Sequence, residues 1–415
     1  MQTRQGEPQS RGLYVAYVVC WLLGIGCLLS WNSMLTIEDY YSSLFPNYHP
    51  TRVLVLVYQP FALLTLTILA WNEARINTRL RILVGYCLFF LSSLLIPVLD
   101  LRTSGHGGIG HFLGICIASA LFGVADAHVQ GGMAGDLSYM RHEFLQSFFA
   151  GVAASGTITS ILRIVTKAAF QASEDGLRKG ALTFFFISTC FVLGCVLLYA
   201  FVFPHIEVIK YYRLEAASQG SKTVVADLAA GGLTLESLKQ DLEFHKEVNR
   251  LSTFQLLMQN VDLAAALFLT YALTLSIFPG FLAEDTGMHK LGSWYAVILI
   301  AMFNVGDFLA RYIPLIENMK LESRWGLLVA ACSRFLFIPC FYFTAKYGAQ
   351  GWMLLLCIFL GLSNGYLTVC ILVTAPKGYK GPEQNSLGNL LVLSLLLGVF
   401  AGVTLDWLWL IGKGW

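Results

Sequence analysis

The chain has 415 residues, of which 56% are hydrophobic and 13% charged, about half the charged share of an ordinary soluble domain. Repeated uncharged apolar runs of roughly 18 to 25 residues are each long enough to cross a hydrocarbon core of ~30 Å as a helix, so most of the chain has lipid as its solvent. A net charge of +2 leaves no basic patch for nucleic acid. All ten cysteines fall inside apolar runs, none with C-x-x-C loop spacing, which gives no support to a zinc site or a disulfide framework.

Residues 1–12 are short and polar, and the apolar run Val15 to Leu35 lacks a small-residue cleavage site, so it is expected to stay as a first helix. Hydropathy then predicts an all-α polytopic membrane protein of about eleven transmembrane helices, at 13–35, 53–71, 82–99, 110–135, 144–168, 181–203, 254–278, 293–316, 325–345, 351–374 and 386–411. The fourth and fifth carry Asp126, His128, Gln130, Arg163 and Lys167. Polar groups at such depth usually face a bundle interior or a wet cavity. The pairs Gly110 and Gly114, Gly131 and Gly135, Gly361 and Gly365, and Gly398 and Gly402 have the small-xxx-small spacing of close helix contacts.

One long loop, 204–253, separates a six-helix bundle (13–203) from a five-helix bundle (254–415). Within it Ala217 to Leu233 reads as flexible, and Thr234 to Arg250 as an amphipathic helix or a solvated linker. Sixteen Lys and Arg lie in the loops on the N-terminal side of the membrane and seven on the other, which predicts a cytoplasmic N-terminus and an exterior C-terminus. Two bundles split by one loop fit a carrier that rocks around a midplane site.

Asp307 and Arg311 stand four residues apart inside the eighth apolar run. They share one helix face, about 6 Å apart along the axis. Two readings follow: a buried ion pair that ties helices together, or a pair lining a polar cavity, where carboxylate oxygens accept from hydroxyls and the guanidinium donates to carbonyls or ring nitrogens. Trp31, beside Asn32, Gly24 and Gly26 on the first helix, is either an interfacial anchor or a flat wall to a site. Asp126 and His128 lie about 200° apart around the fourth helix, so they cannot both face one cavity squarely. Either could carry a proton, or each could serve packing alone.

The segments Leu22-Leu23-Gly24 through Trp31-Asn32, Phe303-Asn304-x-x-Asp307-x-x-x-Arg311, and Leu362-Ser363-Asn364-Gly365-Tyr366 followed by Pro376-Lys377 together resemble the equilibrative nucleoside transporter family. The run from Trp31 to Tyr41 is similar to its plant-type branch. The resemblance implies an eleven-helix fold related to the major facilitator architecture, with Asp307 and Arg311 contacting the nucleoside and Trp31 near the site. It also implies a base-contacting glutamine on helix four, where Gln130 is the one amide. Plant-type members are often proton-coupled, which makes Asp126 and His128 the candidates for that role. The expected cargo is nucleosides such as adenosine and uridine, accompanied by protons, with no cofactor and no nucleic acid. The expected residence is the plasma membrane. A passive facilitator of sugars or other small polar metabolites is the alternative. An intramembrane enzyme would need a metal cluster or a nucleophile with its base, and no His-Glu-x-x-His motif occurs.

Overall fold

The computed structural model describes residues 10–46, 48–170, 173, 175–219, 221–233, 251–284, 294–347 and 350–410. The region 234–250, read from sequence as an amphipathic helix or linker, lies outside the described residues. Eleven helices are long and apolar enough to cross a bilayer: α1 (Gly12–Thr36), α2 (Arg52–Trp71), α3 (Thr78–Arg102), α4 (Ile109–Ser138), α5 (His142–Phe170), α6 (Gly176–His205), α7 (Val261–Leu282), α8 (Tyr295–Leu315), α9 (Arg324–Tyr347), α10 (Gly351–Thr374) and α11 (Gly381–Trp409). Helices dominate because lipid offers backbone groups no partner and each helix satisfies its own. The hydropathy boundaries differ from these by a few residues, with one larger departure. The predicted seventh helix breaks at Asn260, whose side-chain amide donates to Leu256 O at 3.0 Å and to the Tyr379 hydroxyl at 2.9 Å, so the span begins at Val261.

Glycines set the closest approaches. A Cβ on Gly361 or Gly365 would run into the α8 backbone at Phe303 and Asp307, so α10 lies directly on the helix that carries the predicted ion pair. Gly131 and Gly135 admit Asn389 and Asn385 of α11, and Gly398 and Gly402 admit the backbone of α7. The fourth predicted pair is half right: Gly114 meets Leu99, but Gly110 faces open space.

The central loop is not the flexible linker its composition suggested between Ala217 and Leu233. Two short helices, Glu207–Ser218 and Val225–Ala230, dock on the loop-side end of the bundle. Ala217, Val224 and Leu228 bury together, and the enclosed Arg213 pairs with Asp136 of α4 at 2.6 Å and with Asp227 at 3.4 Å. The same segment reaches both halves of the molecule, since Thr78 N donates to Thr223 O at 3.3 Å and Gly381 N to Gln219 Oε1 at 2.9 Å.

Burial raises the pKa of Asp227 from 3.8 to about 6, against the opposing pull of Arg213. A carboxyl raised in the folded state adds stability that is fully present below its unfolded pKa and is lost as pH rises through its folded one. For Asp227 that window runs from 3.8 to about 6. Asp227→Asn, which cannot ionise, should therefore gain in melting temperature on the wild type as pH is raised from 5 to 7.5. Thermal unfolding in detergent checks this, and a difference that stays constant or grows as pH falls would refute it.

Candidate functional site

Where the two bundles meet, side chains from α1, α2, α4 and α5 face side chains from α7, α8, α10 and α11 across a cavity with an empty volume of about 910 Å³. Trp31, Gln130, Asp126, Asp307 and Arg311 all line it. His128 does not: it stands beside Gly85 on the α3 side of α4, as the angular argument required of one of the two.

Arg311 caps the C-terminal end of the α-helical part of α8, one turn after Asp307, which is what i,i+4 spacing allows. Asp307 Oδ2 accepts from Arg311 Nε at 3.1 Å and forms an ion pair with Nη2 at 3.0 Å. Asp307 Oδ1 accepts from Asn364 Nδ2 at 2.7 Å. The remaining guanidinium nitrogen, Nη1, donates to Phe149 O on α5 at 2.7 Å, and Gln146 Nε2 donates back to Arg311 O at 3.0 Å. The pair thus does both things the sequence left open. It lines the cavity, and it ties the five-helix bundle to α5. Asn304, one turn before Asp307, reinforces that seam: its amide donates to Ser160 Oγ at 2.9 Å and its carbonyl accepts from Thr157 at 3.0 Å.

The opposite wall is aromatic and mostly neutral. Trp31 is buried and stacks on Tyr58 of α2, with ring centroids 4.1 Å apart and planes 26° apart, so it is no headgroup anchor. Asn32, the next residue, donates to Ser155 Oγ at 2.7 Å and fixes α1 against α5. Behind the ring pair, the Tyr58 hydroxyl turns to the Asp126 carboxylate, which also takes the Cys27 thiol at 3.5 Å. Asp126 is 1% exposed, and among the described residues its hydrogen-bond partners are neutral groups. Gln59 Oε1 is buried beside the cavity with no hydrogen-bond partner among the described residues.

Beyond the cavity the bundles are pinned at both ends. On the loop side Asn385 Nδ2 donates to Glu73 Oε1 at 2.7 Å, and Trp21 Nε1 donates to the Tyr312 hydroxyl at 3.1 Å. At the opposite end Arg52 faces Asp406 at 3.5 Å and lies 5.6 Å over the Trp407 ring.

Sequence reasoning missed several lining residues: Tyr58, Gln59, Tyr271 and Thr274 carry no charge and belong to no quoted motif, while Asn364 stood in one without an assigned role. The run Gly361-Leu362-Ser363-Asn364-Gly365 also has the letters of a Gly-x-Ser-x-Gly nucleophile motif. Ser363 lies mid-helix, however, with its hydroxyl bonded to Leu360 O and Arg334, whereas that motif needs a sharp strand-to-helix turn.

Comparison with known proteins gives the same direction. Residues 116–411 match the family model described as nucleoside transporter. Among curated relatives, equilibrative nucleotide transporter 3 of Arabidopsis thaliana is 61% identical over 409 residues, covering 99% of this chain and 97% of the relative. Equilibrative nucleotide transporter 2 of the same organism is 59% identical over 405 residues, covering 98% and 97%. Among solved structures, the major facilitator superfamily proton:xylose symporter XylE superposes with a TM-score of 0.65 at 12% identity, over 97% of this chain and 89% of that one. A bacterial homologue of the iron transporter ferroportin, in an outward-facing state, gives 0.60 at 13% identity, over 95% and 91%. These structures share the overall helical fold of this chain. By its family match and its near full-length identity to these relatives, this multi-pass membrane chain belongs to the nucleoside transporter family, in its plant-type equilibrative branch.

Proposed function

We propose that the chain carries purine and pyrimidine nucleosides by alternating access and couples their movement to protons, with the bundles 13–203 and 254–415 rocking about the cavity. The observation that supports this best is the pairing of a flat aromatic wall, Trp31 on Tyr58, with the hydrogen-bonding pair Asp307 and Arg311 on the facing bundle. A base stacks on the first, and sugar hydroxyls donate to the second. Gln130 and Gln59 supply amides for the base edge. The contacts at Glu73 and Asn385 on one side, and at Arg52 and Asp406 on the other, would open in alternation as the bundles rock.

The cavity favours neutral nucleosides over their phosphates. Among the described residues Arg311 is the one Lys or Arg lining it, and its Nε, Nη1 and Nη2 are already committed to Asp307 and Phe149 O. A phosphate would find no uncommitted cation there and would meet two carboxyl side chains, Asp126 and Asp307. Uptake of labelled adenosine, uridine, adenosine monophosphate and xylose into proteoliposomes, with and without an imposed pH gradient, tests the reading. Uptake of xylose without uridine would hand the site to sugars.

Stacking on Trp31 has its own expected result. Trp31→Phe should keep a part of nucleoside affinity, whereas Trp31→Ala should lose about tenfold, consistent with ~0.5–1.5 kcal/mol for an aromatic pair on top of lost area. Equal loss in both, together with reduced membrane insertion, would mean that the ring only packs the bundle. The Lys and Arg bias supports a cytoplasmic central loop, in a protein we place at the plasma membrane. An epitope in that loop should react on intact cells only after permeabilisation, and labelling without it would reverse the orientation.

A further inference from the structure

Of the eleven spans α9 is the most peripheral, with 22% of its most apolar window buried against 72% for α11. Arg334 nevertheless turns inward from it and is 4% exposed. Its guanidinium donates to Ser363 Oγ at 2.9 Å, to Thr270 O at 2.7 Å, to Thr274 Oγ1 at 2.8 Å and to Leu360 O at 3.3 Å. Every one of those acceptors is neutral. A buried cation held this way is costly, so its geometry calls for a reason other than pairing.

The bonds have a direction. A guanidinium only donates, so the Thr274 oxygen must accept from it and keep one hydrogen to give. That hydrogen has two acceptors at 2.8 Å, Thr270 O and Asn364 Oδ1. Thr270 O already takes Arg334 Nη1, which leaves Asn364 Oδ1 as the better acceptor. With Oδ1 so occupied, the Asn364 amide can only present its Nδ2 hydrogens to Asp307 Oδ1, at 2.7 Å. A flipped amide would set oxygen against oxygen at Asp307. Asp307 is thereby ringed by donors alone: Arg311 Nε and Nη2 on one oxygen, Asn364 Nδ2 on the other. A carboxylate has about four lone-pair sites, so one is left at Oδ1.

We propose that Arg334 is a positioning residue for substrate recognition: through Thr274 and Asn364 it fixes Asp307 as an oriented acceptor with one free site for a sugar hydroxyl. Arg334 does not line the cavity, so it reaches the cargo through that relay rather than by contact. The proposal rests on the reading of the cavity as a nucleoside site.

The test compares uridine with 2′,3′-dideoxyuridine by calorimetric Kd on the purified full-length protein, so that a variant unable to transport is still read. Wild type should prefer uridine by about tenfold or more, the worth of one charge-assisted hydrogen bond. Arg334→Gln and Thr274→Val should each weaken uridine by a similar factor, well beyond any loss for dideoxyuridine, bringing the ratio toward one. Arg334→Lys, which retains a donor, should recover part of the preference. The Arg334→Gln, Thr274→Val double variant should be no worse than either alone, because both cut one relay. Thr274→Val removes a single hydroxyl and carries the test if the Arg334 variants do not fold. Two outcomes overturn the proposal: folded variants that keep the wild-type ratio, or equal losses for both ligands, which is what general loosening of α9 would give. Asp307→Asn separates the two levels. If it keeps the preference for uridine, the site reading and the relay fall together. If it loses the preference while Arg334→Gln and Thr274→Val keep it, the relay alone falls.

Discussion

Asp307→Asn is expected to lower nucleoside affinity about 10- to 100-fold, the range for one charge-assisted hydrogen bond of ~1.5–3 kcal/mol. The amide would keep the size of the carboxyl but turn a donor toward Asn364 or Arg311, where the structure places donors already. Arg311→Ala should be worse. It removes the guanidinium that holds Asp307 and also cuts the Nη1 bond to Phe149 O, one of the links between the two bundles. Breaking a buried pair by deleting one partner typically costs ~3–5 kcal/mol, so part of that loss will appear as stability. Measuring uptake beside melting temperature separates the effects: Asp307→Asn should lose transport at nearly wild-type stability, Arg311→Ala should lose both. Near wild-type uptake and affinity in a folded Asp307→Asn would return the pair to a purely structural role.

Legibility from sequence followed physical strength. The eleven spans were readable because a run of some twenty uncharged apolar residues has few other uses. Asp307 and Arg311 were readable because opposite charges four apart inside such a run must either pair or meet a polar cavity. Tyr58 and Thr274 were not, since one hydroxyl among apolar neighbours leaves no trace of which way its helix face turns. That orientation is decided by packing against α1, α4 and α10, a tertiary fact. Arg334 was passed over for a related reason: on an exposed helix a lone arginine reads as a snorkelling side chain, and only the approach of Thr270, Thr274 and Ser363 shows that it points inward. Ala217 to Leu233 read as flexible because Arg213 and Asp227 look solvated until Asp136, 77 residues from Arg213, is brought to meet them.

The two carboxylates of the cavity sit in opposite surroundings, and that contrast yields the second large prediction. Asp307 is ringed by donors that include a guanidinium, so its charge is compensated whatever the conformation of the cargo. Among the described residues Asp126 has the Cys27 thiol of α1 and the Tyr58 hydroxyl of α2 as its partners, and no cation. Moving through a closed bundle with an uncompensated charge is costly in a low dielectric, and taking up a proton removes that cost. The proton would also change what Tyr58 donates to, and Tyr58 carries the Trp31 ring on its face, so occupancy of the carboxyl and of the aromatic wall are joined by one hydrogen bond. An inward pH gradient should therefore accumulate uridine in proteoliposomes above its external concentration. Asp126→Asn mimics the protonated form permanently: exchange of labelled for unlabelled uridine should persist, while accumulation driven by the gradient disappears. His128→Gln, on the far side of α4, should leave accumulation intact. Wild-type protein that only equilibrates uridine under a pH gradient would make this a passive carrier, and accumulation that survives Asp126→Asn would move the proton site elsewhere in the bundle.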